Sequence, residues 1–167
     1  MLSGMTTTVR AAILTVSDTG SRGERVDTSG AAIRELLASI GAEVVRYEIV
    51  PDERDQIAAK LRAWCDAGDL DLLLTTGGTG LAARDITPEA TLDVAERIAP
   101  GIAEAMRAEG MRHTPKAMLS RAVAVVRGRT LIINLPGSEK GVRESLAAVL
   151  DVLPHAADLL RGHTEHP

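Results

Sequence analysis

Aromatic residues are almost missing from this chain, with one Trp, one Tyr and no Phe among 167 residues. Its core must therefore be aliphatic. Single-stranded nucleic acid, which proteins hold largely by stacking bases on aromatic rings, finds no platform here. An excess of basic residues is missing too. The net charge is −4, and a backbone-binding protein needs a basic face instead. The lone cysteine, Cys65, excludes an intrachain disulfide framework and any multi-cysteine metal site. Its apolar helical position reads as a small core residue. No apolar run approaches the roughly 20 residues needed to cross a bilayer, and the opening MLSGMTTTVR has no signal-peptide core. A cytoplasmic protein is the expectation. The histidines, His113, His155, His163 and His166, lack metal-ligand spacing, and no Ser/His/Asp arrangement stands out.

What the chain does contain is alternation. Val9–Val16, Ala42–Val50 and Leu70–Thr76 are short apolar runs that read as buried strands, the third without any polar alternation, as suits a parallel strand covered on both faces. Between them lie helical periods. Ile33, Leu36, Leu37 and Ile40 form one stripe, with Ser29 near its start and Gly41 as its stop. Ile57, Leu61, Trp64 and Cys65 form another, closed by Gly68. Thr87 and Pro88 read as an N-cap and first helical residue, opening a helix that runs up to Pro100. A further helix is expected over roughly 102–111, then two strands around the turn Gly128–Arg129. The last helix carries Val142, Leu146, Val149, Leu150 and Leu153 on one stripe, with Ser138 as its cap and Pro154 interrupting it. The sum is a single domain over 9–161, flanked by mobile ends at 1–8 and 162–167. Its fold class is a three-layer αβα sandwich with a mostly parallel central sheet.

In such sheets ligands bind beyond the carboxyl ends of the strands. Four segments leave those ends, at 17–28, 51–53, 76–87 and 136–140, and they are the stretches richest in Gly, Ser, Thr and Asp. The segment Thr76–Gly77–Gly78–Thr79–Gly80 can bring backbone N–H groups onto an anion, or can simply be a tight turn needing positive φ. It matches neither the P-loop nor the dinucleotide fingerprint. Asp85 is either a partner for a hard cation such as Mg²⁺ or a carboxylate favoured near a helix start. Asp52 has the same two readings, as a helix cap or as a metal ligand beside Asp85. Arg121 and Lys140 are candidate phosphate clamps or ordinary surface charges, and Ser138 opens a helix that can face an anion.

Taken together, TTGGTGLAARDITPEAT, SRAVAVVRGRTLIINLPGSEKGVRESL, SDT…DTSG and PDE resemble the molybdenum-cofactor biosynthesis family that includes the MogA and MoaB proteins. The resemblance runs in order from about Val9 to Leu150. It implies a trimeric, three-layer α/β protein that transfers AMP from Mg-ATP to the terminal phosphate of molybdopterin and releases pyrophosphate. A molybdate-inserting enzyme would take the product. By the same resemblance Asp52 and Asp85 are the acidic residues of catalysis, with Mg²⁺ binding as their role. Thr76 to Gly80 match the ligand-cradling loop, Ser120 and Arg121 the SR element, and Asn134, Pro136, Gly137 and Ser138 the second cradling loop. Lys140 would contact phosphate. The segment after the first strand is closer to the MoaB type, some members of which are inactive, so a non-catalytic molybdopterin carrier is the alternative. A nucleotide-cofactor hydrolase is a third reading. Multidomain chains are expected for that role and for molybdate insertion. If the protein trimerises, the segment 100–119 is the candidate interface.

Overall fold

A computed structural model describes residues 7–163. Six strands form one sheet: β1 (Arg10–Val16), β2 (Glu43–Val50), β3 (Leu72–Thr76), β4 (Arg97–Ile98), β5 (Ala124–Arg127) and β6 (Thr130–Leu135). Their spatial order is β2-β1-β3-β6-β5-β4. β2, β1, β3 and β6 are parallel, while β5 runs antiparallel to both its neighbours.

Alternation along the strands sorts the core into two halves. Ala11, Ile13, Leu72, Leu74, Leu131 and Ile133 face one side. There they meet α2 (Thr28–Ser39), α5 (Pro100–Met111), α6 (Glu139–Val149) and α7 (Leu153–Leu160). Ala12, Leu14, Leu73, Val125 and Ile132 face the other side, against α3 (Arg54–Asp66) and α4 (Thr87–Val94). The three-layer sandwich expected from the sequence is what forms. With no Phe to fill space, each layer is sealed by Leu, Ile, Val and Ala, plus Trp64 on α3. Cys65 is buried in the second half, as its position on the α3 stripe implied.

Several elements begin or end differently from the sequence reading. α4 stops at Val94, and Arg97–Ile98 leaves the expected helix to become the edge strand β4. The N–H groups of Glu96 and Ala99 bond the carbonyls of Val126 and Ala124. The open edge of β5 thus captures a segment whose local pattern was helical. Thr87 is the first residue of α4 rather than its cap, which is Ile86 and gives no side-chain bond. α2 is capped by Asp27, whose Oδ1 accepts from the Gly30 N–H at 2.9 Å. Ser138 does cap α6, accepting from Gly141 at 3.0 Å. The expectation of mobile ends falls at 1–6 and 164–167 on residues outside the described range.

Candidate active site

The carboxyl ends of β1, β2, β3 and β6 lie along one rim, and a cleft of about 210 Å³ opens there. Its floor is the glycine turn after β3. Gly77 and Gly78 have φ of +101° and +69°, a region that other residues rarely enter. Space demands glycine as well. A methyl group on Gly77 would overlap the Val16 carbonyl. One on Gly78 would overlap the Thr87 hydroxyl and lie 3.2 Å from Asp52 Oδ1. The turn is therefore pressed between the end of β1, the start of α4 and Asp52.

Asp52 and Asp85 both line this cleft. Asp52 does not cap α3, whose cap residue is Glu53. Instead its Oδ2 accepts from the Asp18 N–H at 3.0 Å, and Asp18 Oδ1 accepts from the Asp52 N–H at 3.0 Å. This reciprocal pair locks the short helix α1 (Asp18–Ser21) to the end of β2. Burial, then the charge of Asp18, then that of Asp85 push the Asp52 carboxyl above its usual range, partly offset by the Asp18 N–H and by Arg84. Asp18 goes the other way, to about 2, held down first by its hydrogen bonds from Arg84 and then by the Asp52 N–H. Arg84 grips both Asp18 oxygens, at 2.7 and 2.9 Å, and reaches Glu53 at 3.0 Å. It straps the glycine-rich segment to the first loop. Asp85 folds over its own turn, Oδ2 accepting from the Ala82 N–H at 3.0 Å.

A second hollow of about 280 Å³ lies beside the first, lined by Gly80, Met106, Ser120, Pro136, Ser138 and Glu144 among others. The two glycine-bearing loops are the shared wall. Gly77, Gly78 and Gly137 face the first space, while Gly80, Pro136 and Ser138 face the second.

Other residues singled out from the sequence are engaged inside the protein. Asn134 is fully buried. Its amide N–H groups donate to the hydroxyls of Thr75 and Thr91, and its oxygen accepts from the Val123 N–H. Thr76 is buried and donates to the Pro136 carbonyl, tying one cradling loop to the other. Thr79 is buried, and its carbonyl accepts from the Arg121 N–H. Arg121 bonds the carbonyls of Gly80 and Asp85 and pairs with Glu89 at 2.7 Å. It reads as a brace for the Asp85 turn more than as a phosphate clamp. Lys140 is exposed and lies 3.7 Å from Glu144.

Sequence reasoning gave no site role of their own to Asp18, Asp27 and Ser29, which it quoted only within a motif or at a helix start, nor to Arg25; all belong to the first loop or the start of α2. Asp27 Oδ2 accepts from the hydroxyls of Thr15, at 2.6 Å, and Tyr47. Burial and that bond raise the Tyr47 hydroxyl to about 12. Ser29 is buried and donates to the Gly137 carbonyl at 2.7 Å. The available signal was an Asp-bearing loop at the same rim as Asp52 and Asp85.

Residues 12–155 match the family model described as "Probable molybdopterin binding domain". The chain belongs to that family. It is 46% identical over 158 residues to the molybdopterin adenylyltransferase of Helicobacter pylori strain J99, covering 93% of this chain and 90% of the relative. It is 44% identical over 149 residues to the molybdenum cofactor synthesis protein cinnamon of Drosophila melanogaster, covering 89% of this chain and 25% of that much longer protein. Among solved structures, the molybdopterin biosynthesis enzyme MoaB of Thermus thermophilus superposes with a TM-score of 0.88 at 62% identity, covering 93% of this chain and 98% of the other. A MogA structure superposes almost as well, with a TM-score of 0.86 at 40% identity over 90% of this chain and 99% of the other, so the fold is common to the MoaB and MogA types. Among the described residues no helix is long and apolar enough to cross a membrane.

Proposed function

We propose that this protein is a molybdopterin adenylyltransferase, joining AMP from Mg-ATP to the terminal phosphate of molybdopterin and releasing pyrophosphate. The observation that carries this reading is the meeting of Asp52 and Asp85 at a two-glycine turn, in a cleft at the carboxyl rim of a family-matched domain. Two neighbouring hollows with a shared glycine wall suit a reaction that joins two substrates.

The residues fit a magnesium ion that arrives with the nucleotide. Among the described residues no group of three or more Asp, Glu, His or Cys forms a closed metal cage. Two carboxylates and substrate phosphates are a common Mg²⁺ environment. Burial first, then the charges of Asp18 and Asp85, raise the Asp52 carboxyl, and a cation would relieve the part due to charge. When bound, Mg²⁺ supplies charge neutralisation at the reacting phosphates. Asp52 and Asp85 would hold it. The chain's remaining work is alignment. Gly77 and Gly78 keep the floor free of side chains, and Arg121 and Arg84 hold Asp85 and Asp18 in place. The attacking phosphate oxygen is already ionised at neutral pH, so no strong general base is required.

The test mixes protein, molybdopterin, ATP and Mg²⁺ and follows pyrophosphate together with adenylylated pterin. Asp85→Asn is expected to lower turnover by about 100-fold or more while molybdopterin binding persists. Joint loss of both would sink this division of roles, and tight pterin binding without product in the unaltered protein would make it a carrier. The protein acts as a homotrimer in the cytoplasm, and its product passes to a molybdate-inserting enzyme. The trimer reading is supported by exposed Met111, Met118 and Leu119 at the end of the 100–119 segment.

A further inference from the structure

The adenylylation cleft has an electrostatic imbalance. Its walls carry Asp27, Asp52 and Asp85 but one cation, Arg25. Substrates bearing several phosphates would be repelled unless more than a metal balances the site. Neighbouring arginines are already occupied. Arg22 pairs with Glu24 at 3.0 Å, and Arg84 pairs with Asp18 and Glu53. Arg25 alone of the three is exposed without any hydrogen bond or ion pair to a described residue.

Its backbone, by contrast, is held on both sides. The Glu24 N–H bonds the Thr19 carbonyl at 3.0 Å, and the Thr28 N–H bonds the Val26 carbonyl at 3.1 Å. Asp27 is fixed through Thr15, Tyr47 and the Gly30 N–H. The held main chain keeps an uncommitted guanidinium at the cleft, where it is free to order against an anion.

We infer that Arg25 is a substrate-binding residue that grips a phosphate group from the first-loop wall of the cleft. The inference rests on the adenylyltransferase reading for the identity of the two phosphate-bearing substrates. The phosphate belongs either to the nucleotide or to molybdopterin, and the experiment separates them.

Dissociation constants for Mg-ATP and for molybdopterin would be measured calorimetrically with the unaltered protein, Arg25→Ala, Arg25→Gln and Arg25→Lys. Melting temperature serves as the control. Both neutral variants should weaken one of the two substrates by about tenfold, with the melting temperature unchanged and partial recovery in the lysine variant. The weakened substrate is the owner of the phosphate. Constants for both substrates within twofold of the unaltered protein would overturn the proposal. An unaltered protein that binds both but releases no pyrophosphate would refute the adenylyltransferase reading and leave the binding comparison to decide the role of Arg25.

Discussion

Asp52, in its proposed role, illustrates how a side chain placed for function can work against its own fold. Its pKa is raised in the folded protein by burial and by Asp18 and Asp85. A carboxyl whose folded value exceeds its unfolded value costs stability wherever it is ionised, and that cost fades as pH falls through the carboxylate range. Asparagine keeps an oxygen for the Asp18 N–H but removes the charge. Asp52→Asn should therefore raise the melting point of the metal-free protein at pH 7 by about 1–3 °C while abolishing turnover. The gain should shrink on approach to pH 4, and calorimetry in the presence of a chelator at both pH values checks it. A variant that melts lower at pH 7 would contradict the repulsion argument. That Asp52 and Asp85 share one cleft was legible in the sequence because each lies a few residues after a strand end or a glycine turn on the same rim. Arg121 and Asn134, placed in ligand-cradling elements by the resemblance, bond protein groups in the structure, and spacing alone does not reveal those partners. Their partners Gly80, Asp85, Glu89 and Thr75 lie some thirty to sixty residues away, and a cation or amide near a loop looks the same whether it serves a ligand or the loop.

At the scale of elements, the glycine turn is a joint between β3 and α4 whose tolerances are set by Thr87. That hydroxyl is buried and has no hydrogen-bond partner, and it lies where a side chain on Gly78 would go. Gly78→Ala should cost about 1–3 kcal/mol through backbone strain and overlap. Adding Thr87→Ala should return part of that loss, since the overlapped hydroxyl is removed without breaking a bond. Urea denaturation of the two single variants and the double variant gives the coupling, and strict additivity would show that the hydroxyl is not the obstacle. Helix and strand periods were readable where the partner layer lies directly above, as for α3 and β3. They misled at β4, whose two residues owe their extended shape to β5, a neighbour some 27 residues later in the chain. The pattern of a helix and the demand of an unpaired edge competed there, and the edge prevailed.

Across the whole molecule, alternating strands and helical stripes led to the correct layering because aliphatic residues fall on strictly opposite faces of each central strand. The proposed trimer would have apolar surface to cover: Ile98 and Met118 are 60% and 59% exposed. Light scattering on purified protein at micromolar concentration should give the mass of three chains. A monodisperse monomer would remove the trimer. At the end of the sheet away from the cleft, Arg161 bonds buried Asp71 and the carbonyls of Thr7 and Thr8. Entry and exit of the described chain are thereby brought side by side, behind the chemistry. Such a domain is a cassette: it can be spliced in frame into a longer polypeptide through one narrow doorway, with its working face left open to whatever stands opposite.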